Sequence, residues 1–231
     1  ILGIVSFFTD ISSEMVDPLV PMFLTSVLGV PLVVVGAIEG VAESTASVLR
    51  VASGWLSDRV GRRLPFVVLG YVLGAVAKPV LALAFHWPTV LLGRFVDRFG
   101  KGLRSAPRDV LIAQWTEPGV RGRAFGFQRA ADTAGAVLGP LAALALLALL
   151  GQEFRLIFAL AFIPGAAGVV LLRSVGERAA RPGDVEPQER MELARFGRGY
   201  YAFLLISLVF ALGNSSDAFL ILRSRDLGLG V

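Results

Sequence analysis

The sequence has no cysteine and a single histidine, His86. The first absence excludes disulfides and thiolate metal sites. His86 stands beside Trp87 and Pro88 in a short loop, with no second histidine to complete a metal site or a catalytic triad. Neither a metal, nor a cofactor, nor an enzymatic activity is therefore expected. Lysine is nearly missing as well: Lys78 and Lys101 are the only two, against twenty arginines. Charge of any kind is scarce, at 17% of 231 residues, where a soluble domain carries about a quarter. What fills the chain is apolar, 55% of it, with a mean hydropathy of +0.71. That balance points to a membrane. The formal charge of +4 does not read as a phosphate-binding footprint, because the arginines gather in loops on one side. No nucleic-acid partner is expected.

Seven apolar segments, each near the roughly 20 residues that span a bilayer, cover about residues 2–27, 32–56, 64–85, 88–112, 122–150, 154–173 and 199–222. One set of loops carries Arg59, Arg62, Arg63, Arg121, Arg123, Arg173, Arg178, Arg181, Arg190, Arg195 and Arg198. The other set carries only Arg155, Arg223 and Arg225. This bias predicts a cytoplasmic amino terminus and cytoplasmic basic loops. The expected fold class is an all-α polytopic membrane protein. Residues 1–173 form a six-helix bundle, 174–198 a charged joint, and 199–231 the start of a second bundle. The chain opens at Ile1 inside an apolar run, and the expectation is of a chain cut at both ends, with a carboxy-terminal bundle as its missing partner. A short repeat supports the joint: Phe8-Thr9-Asp10-Ile11-Ser12-Ser13-Glu14 is echoed by Ala211-Leu212-Gly213-Asn214-Ser215-Ser216-Asp217, as in transporters built from parallel repeats.

The loop after the second segment reads Gly54-Trp55-Leu56-Ser57-Asp58-Arg59-Val60-Gly61-Arg62-Arg63. Gly54 permits close helix approach, Gly61 a turn with positive φ, and the arginines anchor at the interface. Asp58 has Arg59 or the free amides of a helix start within reach. This stretch resembles the signature loop of the major facilitator superfamily at every defining position. The resemblance implies a transporter of small molecules, with Gly54, Asp58, Arg59, Gly61, Arg62 and Arg63 as a cytoplasmic latch between two halves. In the fourth segment, Arg94 to Gly100 keeps the Arg and the final Gly of a second family signature. It carries Asp97-Arg98 in place of Gln-Gly. In the fifth, Gly135-Ala136-Val137-Leu138-Gly139-Pro140 resembles the signature of the antiporter branch without its trailing Gly-Gly. Gly135, Gly139 and Pro140 equally suit a generic helix-packing face, with Pro140 freeing the carbonyl of Ala136. Gly100-Lys101-Gly102 lacks the spacer and hydroxyl of a phosphate loop.

Ionisable side chains within a bilayer are costly and are by default paired or functional. Asp10, Glu14 and Asp17 share one face of the first segment; Glu39, Glu43 and Arg50 share one face of the second. Arg94, Arg98, Lys101 and Arg108 share a face of the fourth, with Asp97 beside it. The helical rise places Asp17, Glu39, Asp97 and Arg98 about 12–15 Å below the outer end, near the midplane, and Glu14, Glu43 and Lys101 about 18–20 Å down. Pro18 and Pro21 withhold amides from the carbonyls of Glu14 and Asp17. The candidates for substrate or proton binding are Glu14, Asp17, Glu39, Glu43, Arg94, Asp97, Arg98 and Lys101. Two roles stay open for Glu14, Asp17, Arg98 and Lys101: direct binding, or membership of a salt-bridge lattice. Asp10, Arg50, Arg108 and Asp132 are expected in the lattice. Glu14 is expected as the coupling acid, ahead of Asp17.

The leading expectation is proton-coupled efflux by alternating access at a plasma membrane, the inner membrane of a bacterium, with a small molecule, protons and lipid as partners. Uptake by symport is the alternative within transport. A receptor or assembly factor on the same scaffold is the alternative outside it.

Overall fold

The computed structural model describes residues 1–176, 197–213 and 217–227. Among these residues the chain is helical and no strand occurs. The first span is two helices, α1 (Leu2–Glu14) and α2 (Leu19–Ser26), joined by a turn at residues 15–18. The apolar run of residues 2–27 predicts one continuous span here. Pro18 and Pro21 break it, since neither has an amide for the carbonyl four residues back. The ladder tightens there, with Val16 N–H donating to Ser13 and Leu19 N–H to Val16. Then follow α3 (Leu32–Val60), α4 (Leu64–Ala82), α5 (Trp87–Gln114), a 3₁₀ turn at Pro118–Val120, α6 (Arg121–Leu150) and α7 (Phe154–Leu172). In the seventh segment the described residues form α8 (Arg198–Gly213) and α9 (Asp217–Asp226). Most of the expected joint, residues 177–196, and Asn214 to Ser216 of the repeat lie outside the described residues.

Helices α3 and α5 pack as one pair and α1 and α6 as another; α4 and α7 join the pairs from behind. Small residues let the axes approach. A Cβ on Gly135 of α6 would lie 2.7 Å from the Phe7 carbonyl, and one on Gly139 2.7 Å from Glu14 Cβ. Between α4 and α5, a Cβ on Gly70 would meet the Gly100 carbonyl at 2.6 Å. Hydroxyls tie the helices where apolar contact alone gives little advantage over lipid. Ser6 bonds the Tyr71 hydroxyl at 2.7 Å, Ser12 donates to the Ala161 carbonyl at 2.6 Å, and Ser53 to that of Gly102 at 3.0 Å.

Two apolar cores result. One, around Phe23, Phe154, Phe158, Leu19 and Ile38, sits at the end remote from the basic loops. There Phe23 and Phe158 meet edge to face at 5.4 Å. The other, around Val5, Val67, Tyr71, Leu111 and Leu172, sits at the basic end. Helix α9 caps the first core against α2 and α3, with Ala218 and Leu222 buried. Four described helices are long and apolar enough to cross a membrane: α3, α4, α6 with its leading 3₁₀ turn, and α7. Helix α5 has 28 residues and sufficient length, but too many charges to count as apolar. Four of those charges face protein: Arg94, Asp97, Arg98 and Arg104 are all buried. They lie between the two cores.

Candidate functional site

The turn after Glu14 carries Asp17 into the middle of the bundle. Arg94 and Arg98, one helical turn apart on α5, meet it together. Arg94 donates to Asp17 Oδ1 and, at 2.6 Å, to Glu39 Oε2. Arg98 donates to Asp17 Oδ2 at 2.8 Å and pairs Glu43 Oε1 at 2.8 Å. Glu39 and Glu43 are also one turn apart, on α3, so two guanidinium groups face two glutamates with Asp17 bridging. Arg94 is 2% exposed and Arg98 5%. Such a lattice persists at depth because each charge is compensated; removing one partner leaves an uncompensated buried ion, at a cost of about 3–5 kcal/mol.

Behind it stands a second pair. Lys78 of α4 donates to Asp97 Oδ1 at 2.5 Å and to Ser13 Oγ at 3.1 Å. Both charged partners are nearly fully buried. Asp97 thus faces α4 and not the cavity that its neighbours Arg94 and Arg98 line. Lys78 is not among the candidates drawn from the sequence, although it is the only charge in the third segment and an isolated cation at that depth needs an anion.

Seven of the eight candidate binding residues, Glu14, Asp17, Glu39, Glu43, Arg94, Arg98 and Lys101, line one cavity of about 710 Å³. Pro18, Pro21 and Pro140 shape its wall. A second cavity of about 610 Å³ lies towards the basic end, lined by Asp10, Arg50, Arg104, Arg108, Arg129 and Asp132 among others. Arg108 pairs Asp109 at 3.1 Å and Asp132 at 3.9 Å and donates to Ser6 Oγ at 3.2 Å. Arg104 stacks over the Tyr71 ring, 4.5 Å from its centre. Asp10 and Arg50, expected in the lattice, make no ion pair within 4.0 Å among the described residues. Glu14 and Lys101 line both cavities. They too lack an ion pair among the described residues. Glu39 leaves Oε1 without a hydrogen-bond partner. Among the described residues, no three His, Cys, Asp or Glu side chains gather as a metal site.

At the basic end, α3 stops at Val60 because Gly61 takes φ 70°, a left-handed cap that suits glycine. The turn returns Arg63 to Asp58, with a 3.0 Å bond from the guanidinium to Oδ1. Arg59 lies over the Trp55 ring at 5.4 Å, and Arg62 is exposed. Gly54 closes α3 onto α5, where a Cβ would stand 3.3 Å from that of Ala106.

The family model described as Major Facilitator Superfamily matches residues 2–230. The chain is 37% identical over 226 residues to an uncharacterized MFS-type transporter of Methanocaldococcus jannaschii, across 98% of this chain and 56% of that protein. It is 32% identical over 126 residues to the multidrug resistance protein MdtH of Photorhabdus laumondii, across 54% of this chain and 31% of that protein. The chain spans about half the length of the curated relatives it matches over most of its own length. A crystal structure of a POT family transporter in complex with 5-aminolevulinic acid shares the fold, with a TM-score of 0.69 at 17% identity. It covers 100% of this chain and 47% of that one.

Proposed function

Because the chain belongs to the Major Facilitator Superfamily, whose members are transporters and not enzymes, we propose that it forms the first half of a proton-coupled exporter. Residues 1–173 are its first bundle, 174–198 the joint, and 199–231 the opening of a second bundle that completes the cavity. This multi-pass chain lies in a plasma membrane, the inner membrane in a bacterium, with its amino terminus and basic loops cytoplasmic. A small molecule binds between the halves and is released by alternating access. The relation to a multidrug resistance protein and the antiporter-like Gly135-to-Pro140 stretch support outward transport over symport.

The observation that carries the reading is the place of Glu14. It lines both cavities, has no ion pair among the described residues, and ends α1 where the helix breaks. A carboxyl group there exchanges protons with either side as the cavity changes face, and its charge biases which face is open. Asp17, held by two guanidinium groups, organises the bundle instead. At the basic end, Asp58 with Arg63, Arg59 and Arg62 latches one half against the other.

The test is transport by the full-length protein in proteoliposomes under an imposed pH gradient. Export coupling predicts substrate movement against the proton flux; movement with the protons identifies a symporter and contradicts the reading. Asp58→Asn should slow transport about tenfold or more while insertion stays intact, an effect of about 1.4 kcal/mol on the rate-limiting change. Normal rates in that variant would remove the latch.

A further inference from the structure

The cavity wall contains one unmatched charge of each sign. Arg94 and Arg98 are taken up by Asp17, Glu39 and Glu43. Lys78 is taken up by Asp97 behind the wall. That leaves Glu14 on α1 and Lys101 on α5, neither paired among the described residues. Both stand where the two cavities adjoin, lining each.

Closure of the cavity strips water from these two side chains. A simple cation entering there would compensate Glu14 and leave the Lys101 ammonium dehydrated; a simple anion would do the reverse. Either mismatch is costly in a water-poor site. A molecule with an ammonium at one end and an anionic group at the other compensates both. We infer that the transported molecule is a small zwitterion, its ammonium received by Glu14 and its anionic group by Lys101, the two residues that line both cavities without an ion pair among the described residues.

The inference rests on the transporter reading and deepens it. A proton and a substrate ammonium then compete for one carboxylate, so loading from the cytoplasm displaces the proton brought in from outside. Exchange follows from the shared site, with no second coupling device.

The test uses purified full-length protein and a length series of ω-amino acids, from glycine to 6-aminohexanoate. Each is compared with the alkylamine and alkanoate of the same length by shift in unfolding temperature. At least one amino acid should bind about tenfold more tightly than both of its single-charge counterparts. Lys101→Met should bring the matching alkylamine level with it, and Glu14→Gln the matching alkanoate. Each variant without ligand should unfold within a few degrees of the parent, and Lys101→Arg should keep the preference for zwitterions. Equal binding of the alkylamine by the parent protein, or no binding by any amino acid in the series, overturns the inference. Proton release on amino-acid binding in weak buffer is measured alongside. Binding without release contradicts the proton-coupled reading while leaving the zwitterion site standing.

Discussion

The two cavities use similar residues to opposite ends. In the first, Arg94 and Arg98 are saturated by three carboxylates on two other elements. In the second, towards the basic end, Arg108 is paired, whereas Arg50, Lys101 and Arg129 have no ion pair among the described residues. A saturated lattice holds its helices in one arrangement, because any shift uncovers a dehydrated charge. Unpaired groups fix nothing by themselves and are free to take part in more than one arrangement. The contrast divides the bundle into a rigid charged layer and a responsive region, with Glu14 and Lys101 on the boundary.

The largest effect should come from breaking the saturated side. Arg94→Met takes the ion-pair partner from Glu39 and one of two from Asp17, and a loss of about 3–5 kcal/mol of stability is expected. Thermal unfolding of the purified protein measures it. A change as small as that of a lone exposed arginine would erase the distinction between the cavities.

Next comes the pair behind the lattice. Lys78→Met alone leaves buried Asp97 with only the more distant Arg98, 3.8 Å away, and a loss in the same range of about 3 kcal/mol is expected. Lys78→Met combined with Asp97→Leu should recover most of it, since removing both charges removes the desolvation cost. Simple addition of the two single losses would mean that the pair does not act as a unit.

Gly139→Leu probes the α1–α6 contact at the boundary, where a Cβ would already stand 2.7 Å from that of Glu14. Overpacking there should cost about 1–3 kcal/mol, read from the same unfolding curves. The smallest effect is expected from Lys101→Met, about 0.5 kcal/mol or less, because no partner is lost. A Lys101 loss matching that of Arg94 would show a hidden partner and sink the responsive region.

The helices were legible because each needs about 20 apolar residues. Segment 64–85 became Leu64–Ala82, and 154–173 became Phe154–Leu172. The break in the first span is not legible in the sequence, although Pro18 and Pro21 stand in it. Prolines within membrane helices do not always end them: α4, α6 and α7 carry Pro79, Pro140 and Pro164 without stopping. Two prolines three residues apart do. Helical spacing correctly grouped Glu39 with Glu43 and Arg94 with Arg98. It could not pair charges across helices, because pairing depends on rotation about each axis. Asp97 therefore looked like a cavity residue until α4 placed Lys78 against it. Glu14 and Asp17, three residues apart, also looked alike; only the break at residues 15–18 separates them, turning Asp17 to the arginines.

That separation is the central claim, and infrared spectroscopy of the full-length protein tests it most directly. A pH titration should show a protonated-carboxyl band growing in as pH falls. The account predicts that Glu14→Gln lowers this band and removes the response to a pH gradient. A band that Glu14→Gln leaves unchanged and Asp17→Asn lowers would contradict it, moving the proton site into the lattice.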